Sequence, residues 1–399
     1  MGGEQEGLRR PGGGATPFFQ HACLFHGTIA LVYARRASFM TGAAGAGTVY
    51  DVAVIGAGPA GAQAAISAAH QTRHVLVLDA GPISRLKGRA FWSKSVQIQD
   101  APVFAGVVGS HFMRALREWM ASRPVRWLTI GGRARRTGIE YQPGYVLRLR
   151  APSDEPTLFE LETSVEPLRG DQTTAPALFR ARSVVVASGF DDVWPDIEVD
   201  EQAQRVYQRY QTVFRFAGNR RGWHVCIRCD GHLHIDEHLA ILALGDTAFD
   251  TARGAQDFTS KMTILTNGRP HGLRADDLAT LEKRGIEIVE SGIIAHIGRQ
   301  TDLLGFQFAD GMERYFDGFL VDEGLIPNTQ YLEGWDVRTD EEGLLIVNDD
   351  RQVLTKAGKT ITGLFAAGDI VSGERNLIAT AFALGQDAGL SAADSLREW

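Results

Sequence analysis

Two cysteines separated by two residues are the clearest candidates for chemistry in this chain. Cys226 and Cys229 form the only Cys-x-x-Cys, and Asp230 follows at once. Two thiols at this spacing can close a small disulfide, and exchange with another disulfide needs one of them as the thiolate. In a reducing compartment such a pair indicates redox chemistry or a metal site.

Zinc is the alternative for the same segment, because Cys226 and Cys229 are followed by His232, His234 and His238. Zinc sites usually separate their two ligand pairs by about a dozen residues or more. Five ligand-type residues this close together would struggle to close a tetrahedron, so we favour a redox dithiol without a metal. Acidic residues are interleaved with the histidines, and we therefore expect the histidines to face solvent or a partner.

A glycine-rich turn is the second chemical signal. In Gly56-x-Gly58-x-x-Gly61 the first glycine permits a tight turn, the second lets a pyrophosphate approach the backbone, and the third lets the helix pack closely on the sheet. The pyrophosphate then lies at a helix N-terminus. Asp79 follows Gly56 by 23 residues, at the end of the next predicted strand, where it can accept a hydrogen bond from a ribose hydroxyl.

Strands and helices that would position these residues can be predicted from apolar runs. A strand over residues 50–55, an Ala-rich helix over 60–69 and a strand over 74–79 make a first βαβ unit. A second unit has a strand over 239–245, a helix over 247–255 and a strand over 262–265. Further strands are predicted over 146–150, 158–161, 177–187 and 364–369, a helix over 114–121, and an Ala-rich helix at the end of the chain. The fold class is α/β, with two Rossmann-like, three-layer dinucleotide-binding domains.

Composition restricts the class of protein. The chain has 399 residues, which favours two domains, and a net charge of -7, which argues against a nucleic-acid partner. No apolar run approaches the roughly 20 residues that span a bilayer, so we expect a soluble protein without a membrane partner. Three cysteines are too few for a secreted disulfide framework, and we expect a cytoplasmic location.

The first 47 residues differ from the rest, since no acidic residue occurs between Glu6 and Asp51. A transit peptide, a disordered tail and translation starting at Met40 all remain open. We treat residues 1–47 as an N-terminal extension that is disordered or a start-site artefact.

Three segments together resemble the FAD domain of low-molecular-weight thioredoxin reductases. They are the Gly56–Gly61 turn, the strand and turn over residues 183–189, and the Gly363-Leu-Phe-Ala-Ala-Gly368-Asp369 segment. The Cys226-Ile-Arg-Cys229-Asp230-Gly231 segment matches the redox-active Cys-x-x-Cys-Asp-Gly of that family in spacing and place. The resemblance covers residues 49–396.

The resemblance implies FAD and a role for each matching residue. Cys229 would face the flavin, Cys226 would attack the partner disulfide, and Asp230 would act as general acid and base. The implied FAD-binding residues are Gly56, Gly58, Pro59, Ala60, Gly61, Asp79, Ala187, Gly189, Gly368 and Asp369. The FAD domain would comprise residues 48–190 and 319–399, and an inserted NAD(P)H-binding-like domain, residues 191–318, would carry the dithiol.

The second nucleotide motif departs from the family pattern. Where the family has Gly-x-Gly-x-x-Ala, this chain has Ala243-Leu244-Gly245-Asp246-Thr247-Ala248, and a methyl group at the first position crowds the turn. The paired arginines that grip a 2′-phosphate are also missing. NAD(P)H binding in a modified way, a ferredoxin donor, and a second FAD as in diflavin-linked relatives all remain open.

The function that follows is an FAD-dependent disulfide oxidoreductase, thioredoxin reductase-like and homodimeric. It would pass electrons through Cys226 and Cys229 to a thioredoxin-like protein or a small disulfide. Two alternatives remain, a dithiol oxidase acting on a small-molecule dithiol and a redox-sensing flavoprotein without turnover.

Overall fold

A computed structural model describes residues 47–81, 88–151, 158–164, 176–203 and 206–397. Apart from Gly47, the predicted N-terminal extension over residues 1–47 lies outside these ranges. Within them, no helix combines the length and apolar composition needed to cross a bilayer.

The described strands and helices follow one another from the first glycine-rich turn to the C-terminal helix. The strands are β1 (Val49–Ile55), β2 (His74–Asp79), β3 (Arg126–Ile130), β4 (Arg133–Pro143), β5 (Tyr145–Arg150), β6 (Phe159–Ser164), β7 (Ala177–Val186), β8 (Phe190–Asp192), β9 (Trp223–His224), β10 (Leu239–Ala243), β11 (Met262–Leu265), β12 (Glu287–Val289), β13 (Ile293–Arg299), β14 (Asp302–Phe308), β15 (Glu313–Tyr315), β16 (Gly318–Asp322), β17 (Leu325–Pro327), β18 (Gln352–Leu354) and β19 (Thr360–Ala366). The α-helices are α1 (Pro59–His70), α2 (Gly109–Ala121), α3 (Val206–Arg209), α4 (Gln211–Phe216), α5 (Ile227–Asp230), α6 (Gly245–Ala255), α7 (Ala275–Lys283) and α8 (Ile378–Asp394).

The larger sheet has a parallel centre with antiparallel strands around it. Its order is β18-β19-β7-β1-β2-β4-β3, and β6 joins β5 to β7. β1 pairs in parallel with β2 and β7, and β7 with β19. Every residue of β2 is buried, as expected for an apolar run in a parallel strand covered on both faces.

The second sheet is entirely parallel, in the order β12-β11-β10-β16-β9. A separate antiparallel sheet joins β13, β14 and β15. The predicted α/β class with Rossmann-like sheets is thereby confirmed. β16 differs from the expected boundary at residue 319, because its apolar residues pair with β10 and are buried in the second sheet.

Two short strands join the two sheets. β8 lies where the chain leaves the larger sheet and β17 where it returns, and they pair antiparallel. Phe190 lies opposite Pro327, and Asp192 opposite Leu325. The segment that carries the second sheet therefore leaves and re-enters the first through a paired crossing.

Glycines let helix α8 approach helix α1 closely. A Cβ on Gly385 would lie 2.1 Å from the backbone oxygen of Ala60, and one on Gly389 would lie 2.4 Å from that of Ala64. Backbone groups cannot withdraw as a flexible side chain can. The small residues on both helices thus fix α8 over the start of α1, beside the glycine-rich turn.

We predict that Gly385→Ala lowers the free energy of unfolding by about 1–3 kcal/mol, because the new methyl group overlaps a backbone oxygen. Urea unfolding measures this as a lower midpoint at unchanged slope. Gln386→Ala, on the exposed side of the same helix, is the matched control and should change stability by less than about 0.5 kcal/mol. Equal midpoints for the two variants would contradict the close packing.

Candidate active site

The glycine-rich turn has the geometry that its sequence predicts. Gly56 has a φ of +104°, and a Cβ there would lie 2.3 Å from the backbone oxygen of Ala187. A Cβ on Gly61 would lie 2.0 Å from the oxygen of Gly56. A Cβ on Gly58, in contrast, would have nothing within 4 Å. Gly56 and Gly61 therefore permit close packing, and Gly58 leaves open space in front of α1.

One cavity of about 600 Å³ brings the predicted site residues together. All of them line it except Gly61, which packs against the turn below. The lining set is Gly56, Gly58, Pro59, Ala60, Asp79, Ala187, Gly189, Cys226, Cys229, Asp230, Gly368 and Asp369. The strand ends and turns of the first sheet and the α5 segment that follows β9 thus face the same space.

Asp79 lies at the end of β2, where the sequence places it, but its carboxylate already has protein partners. One oxygen accepts a hydrogen bond from the Gly81 N–H at 2.8 Å. The other accepts from Arg117 Nε at 3.1 Å and from the Tyr141 hydroxyl. Burial, reinforced by the Asp79 charge, raises the pKa of Tyr141, so its hydroxyl remains a donor. Arg117 and Tyr141 belong to no motif, and sequence reasoning had no signal by which to find them.

The two cysteines form a disulfide at the cavity wall, with their Cα atoms 5.3 Å apart. Cys226 directly precedes α5, and the Cys229 N–H lies 3.1 Å from Cys226 Sγ. Such a donor would stabilise negative charge on Sγ of Cys226 after reduction. Asp230 ends α5 and lines the same cavity. The arrangement can take up and release two electrons beside a proton carrier.

Arg89 connects the crossing strand β8 with the segment that precedes the disulfide. Its Nε lies 3.2 Å from Asp192 Oδ2, and its Nη2 donates to the Val225 oxygen at 2.5 Å. Burial raises the pKa of Asp191 and of Asp192 to about 6. Burial also raises the pKa of Asp369. The charge of Arg89 opposes the shifts of Asp192 and Asp369, so this arginine favours their carboxylate forms.

The prediction that the histidines after the dithiol face solvent or a partner was wrong for His234. His232 is exposed, but His234 is only 3% exposed, and its ring packs edge to face against the His224 ring. His238 is half-buried and lies 2.9 Å from the Thr263 hydroxyl. Among the described residues, no group of three or more His, Cys, Asp or Glu is arranged to hold a metal ion.

The second nucleotide motif lies at the start of α6, and residues 271 and 272 of the same chain contact this helix start. The Gly245 N–H donates to the His271 oxygen at 2.8 Å, and a Cβ on Gly272 would lie 3.7 Å from Gly245 Cα. Asp246 occupies the first turn, and Arg274 lies 3.4 Å from its carboxylate. By comparison, the first turn of α1 has no acidic residue.

The two downstream arginines of this second unit also have acidic partners. Arg274 pairs with Asp277 at 2.8 Å, in addition to Asp246. Arg269 pairs with Glu323. Neither arginine is left without an anionic group of the protein.

Several known proteins are similar to this chain. The thioredoxin reductase of Listeria innocua is 23% identical over 360 residues, which cover 88% of this chain and 95% of that protein. The NADH dehydrogenase of Bacillus subtilis is 25% identical over 358 residues, or 87% of this chain and 58% of that protein. An alkyl hydroperoxide reductase protein of Staphylococcus epidermidis is 22% identical over 357 residues, or 86% of this chain and 59% of that protein. The chain therefore spans about three fifths of the length of the last two relatives.

Solved structures share the fold at low sequence identity. A thioredoxin reductase from Streptococcus pyogenes aligns with a TM-score of 0.64 at 20% identity, covering 87% of this chain and 98% of that one. HlmI aligns with a TM-score of 0.67 at 20% identity, covering 87% and 92%. The family model for pyridine nucleotide-disulphide oxidoreductases matches residues 50–385. The predicted thioredoxin reductase-like enzyme class is confirmed at this level, and the chain belongs to the pyridine nucleotide-disulphide oxidoreductase family.

Proposed function

We propose that this protein is an FAD-dependent disulfide oxidoreductase whose electrons pass between FAD and a disulfide partner through Cys226 and Cys229. The observation that carries the proposal is that the disulfide, Asp230 and the Gly56–Gly61 turn line one cavity. The name of the Listeria innocua relative supports a thioredoxin-like protein as partner, and a small disulfide is the alternative. The homodimer and the cytoplasmic location remain predictions.

The residues of the main cavity fit FAD. Gly58 leaves space for a pyrophosphate in front of α1, and no acidic side chain in the first turn would repel it. Gly189, Gly368 and Asp369 would hold the remainder of the cofactor along the strand ends. When bound, FAD supplies a two-electron exchange with the dithiol.

The protein's part of the reaction is thiol–disulfide exchange. Reduction breaks the Cys226–Cys229 bond with two electrons, and the Cys226 thiolate then attacks one sulfur of the partner disulfide. Cys229 attacks Cys226 in the resulting mixed disulfide, which re-forms the internal bond and releases the partner as a dithiol. We assign Asp230 to the protons that accompany these steps.

The start of α6 supports a donor other than NAD(P)H. A pyrophosphate at α6 would have to approach the helix start closely, but the Gly245 N–H already bonds to the His271 oxygen, and the Asp246–Arg274 pair occupies the first turn. A second FAD would meet the same obstacle. We therefore propose that electrons arrive from another donor, such as a reduced ferredoxin.

Oxidation of a dithiol is the second candidate function. The contacts at the start of α6 that disfavour a nicotinamide also favour this function. Without a nicotinamide, a small-molecule dithiol could itself reduce the Cys226–Cys229 disulfide and then FAD, with oxygen as the final acceptor. A flavoprotein without turnover is less consistent with a carboxyl group next to the two thiols.

We predict that Gly58→Ala greatly lowers the flavin content of the purified protein. A Cβ at this position meets no protein atom, so the fold should be unaffected, but the methyl group would occupy the approach of the pyrophosphate. The absorbance ratio at 450 and 280 nm measures the flavin content. The melting temperature of the variant should equal that of wild-type protein stripped of flavin. Full flavin occupancy would argue against a pyrophosphate at this turn.

Cys229→Ser should abolish turnover with thioredoxin disulfide while leaving the flavin bound, because no internal disulfide can form. The assay counts partner thiols released per enzyme with dithionite as the electron source, because Cys226 alone can free only one thiol by forming a mixed disulfide with the partner. Cys23→Ser, which removes the other cysteine, is the control and should retain full turnover. Normal turnover by Cys229→Ser would refute the dithiol mechanism.

Anaerobic titration of the flavin absorbance identifies the donor. We expect a large excess of NADPH or NADH to leave the yellow colour unchanged, because the start of α6 is closed. Dithiothreitol and dithionite should both bleach it. Rapid bleaching by either nicotinamide would show that the second unit opens and would exclude the proposed donor.

A further inference from the structure

Asp230 has a buried histidine as its hydrogen-bond partner. Its Oδ2 lies 2.8 Å from Nδ1 of His224, which is 4% exposed. His224 ends β9 and pairs with Leu320 of β16, so the sheet fixes the position of the ring. The carboxyl group beside the disulfide is therefore connected to the interior of the second sheet.

A second histidine continues the contact away from the dithiol. Nε2 of His234 lies 3.4 Å from Nε2 of His224, and the two rings meet edge to face at 5.0 Å. The absence of a side chain at Gly318 makes room for this ring, since a Cβ there would lie 2.5 Å from His234 Nδ1. The two imidazoles thus face each other through nitrogen atoms.

The far nitrogen of His234 meets both a donor and an acceptor at the surface. Nδ1 lies 2.9 Å from Glu237 Oε2 and 3.0 Å from Arg220 Nη1. Arg220 and Glu237 also pair with each other at 2.8 Å, and their side chains are 40% and 32% exposed. The row of contacts that begins at Asp230 therefore ends at solvent.

Both neutral tautomers of His234 are satisfied at this position. With the proton on Nε2, Nδ1 accepts from Arg220; with the proton on Nδ1, that nitrogen donates to Glu237. The titratable or charged groups that face this ring are His224, Arg220 and Glu237. Burial, followed by the neighbouring His224, lowers the pKa of His234 to about 4, so the ring is neutral near pH 7.

We propose that Asp230, His224, His234 and Glu237 form a proton path that supplies Asp230 with a new proton during turnover. This inference rests on the proposed function, in which Asp230 carries the protons of the dithiol. His224 Nδ1–H protonates Asp230, His224 Nε2 takes the proton of His234 Nε2, and His234 Nδ1 takes one from solvent at Glu237. One proton enters for the one delivered, which leaves both imidazoles in the other neutral tautomer. Dithiol oxidation drives the same steps outward and returns both rings to the starting tautomer.

On the side of Asp230 that faces His224 and His234, side chains rather than a column of water carry the proton. The small cavity beside these residues, lined by Cys226, Asp230, His224 and His234 among others, has a volume of about 10 Å³. This is about the least that one water molecule needs. The 3.4 Å gap between the two imidazoles is longer than an ordinary hydrogen bond, and we assign the slowest transfer to it.

His234→Gln tests the path, because an amide fills the space and forms hydrogen bonds but cannot relay a proton. The measurement is stopped-flow bleaching of the flavin by dithiothreitol without oxygen, between pH 6 and 9, in H2O and in D2O. We expect bleaching to slow by about tenfold, less than the loss of the general acid itself. Added imidazole at constant ionic strength should leave the rates of this variant and of wild-type protein unchanged, because position 234 is buried and the amide fills it.

Two further variants make the result decisive. Glu237→Gln changes only the outer end and should slow bleaching by about threefold, with recovery in added imidazole because this end is exposed. His238→Gln removes a neighbouring histidine that bonds to Thr263 and should behave as wild type. Wild-type rates in both His234→Gln and Glu237→Gln would overturn the path. If His234→Gln does not fold, Glu237→Gln decides alone. Failure of dithiothreitol to bleach wild-type protein would instead refute the proposed function.

Discussion

The close meeting of three distant segments at the ends of β1, β7 and β19 is the constraint on which the main cavity depends. It requires positions without side chains. Gly56 approaches the Ala187 oxygen, and a Cβ on Gly368 would lie 2.7 Å from the Ala60 methyl group. Parallel pairing of the three strands brings the segments to the same edge of the sheet. Because close packing encloses the edge, the open space in front of Gly58 is well defined.

The same supersecondary unit occurs twice, and the two helices begin with different chemical groups. At α1, the helix begins with Pro59 and faces an open cavity. At α6, the Gly245 N–H is bonded to the protein's own backbone and Asp246 occupies the first turn. The two units therefore share their sheet and helix arrangement while the groups at the start of the helix differ. The second sheet also positions His224 and the disulfide segment that follows it, because β9 pairs with β16.

How much could be predicted from the sequence depended on how local each feature is. The Gly56–Gly61 turn and the dithiol are each formed by a short contiguous segment, so residue spacing alone predicts their geometry. Arg89, Arg117 and Tyr141 come from separate elements, and only the tertiary fold brings them to Asp79 or Asp192. The burial of His234 was missed because interleaved acidic residues indicated an exposed segment. β16 was placed in the first domain because the segments that follow it return there, although strand pairing assigns it to the second sheet.

Gly318 has a consequence for how this protein can diverge. Its missing side chain provides the space that the His234 ring occupies, and the same added atom would also lie 2.5 Å from the Leu239 side chain. A descendant that acquires a side chain at 318 must displace both the imidazole at 234 and the Leu239 side chain, and loss of the imidazole removes one of these two obstacles. Substitutions at these two positions, 84 residues apart, should therefore be inherited together across related lineages.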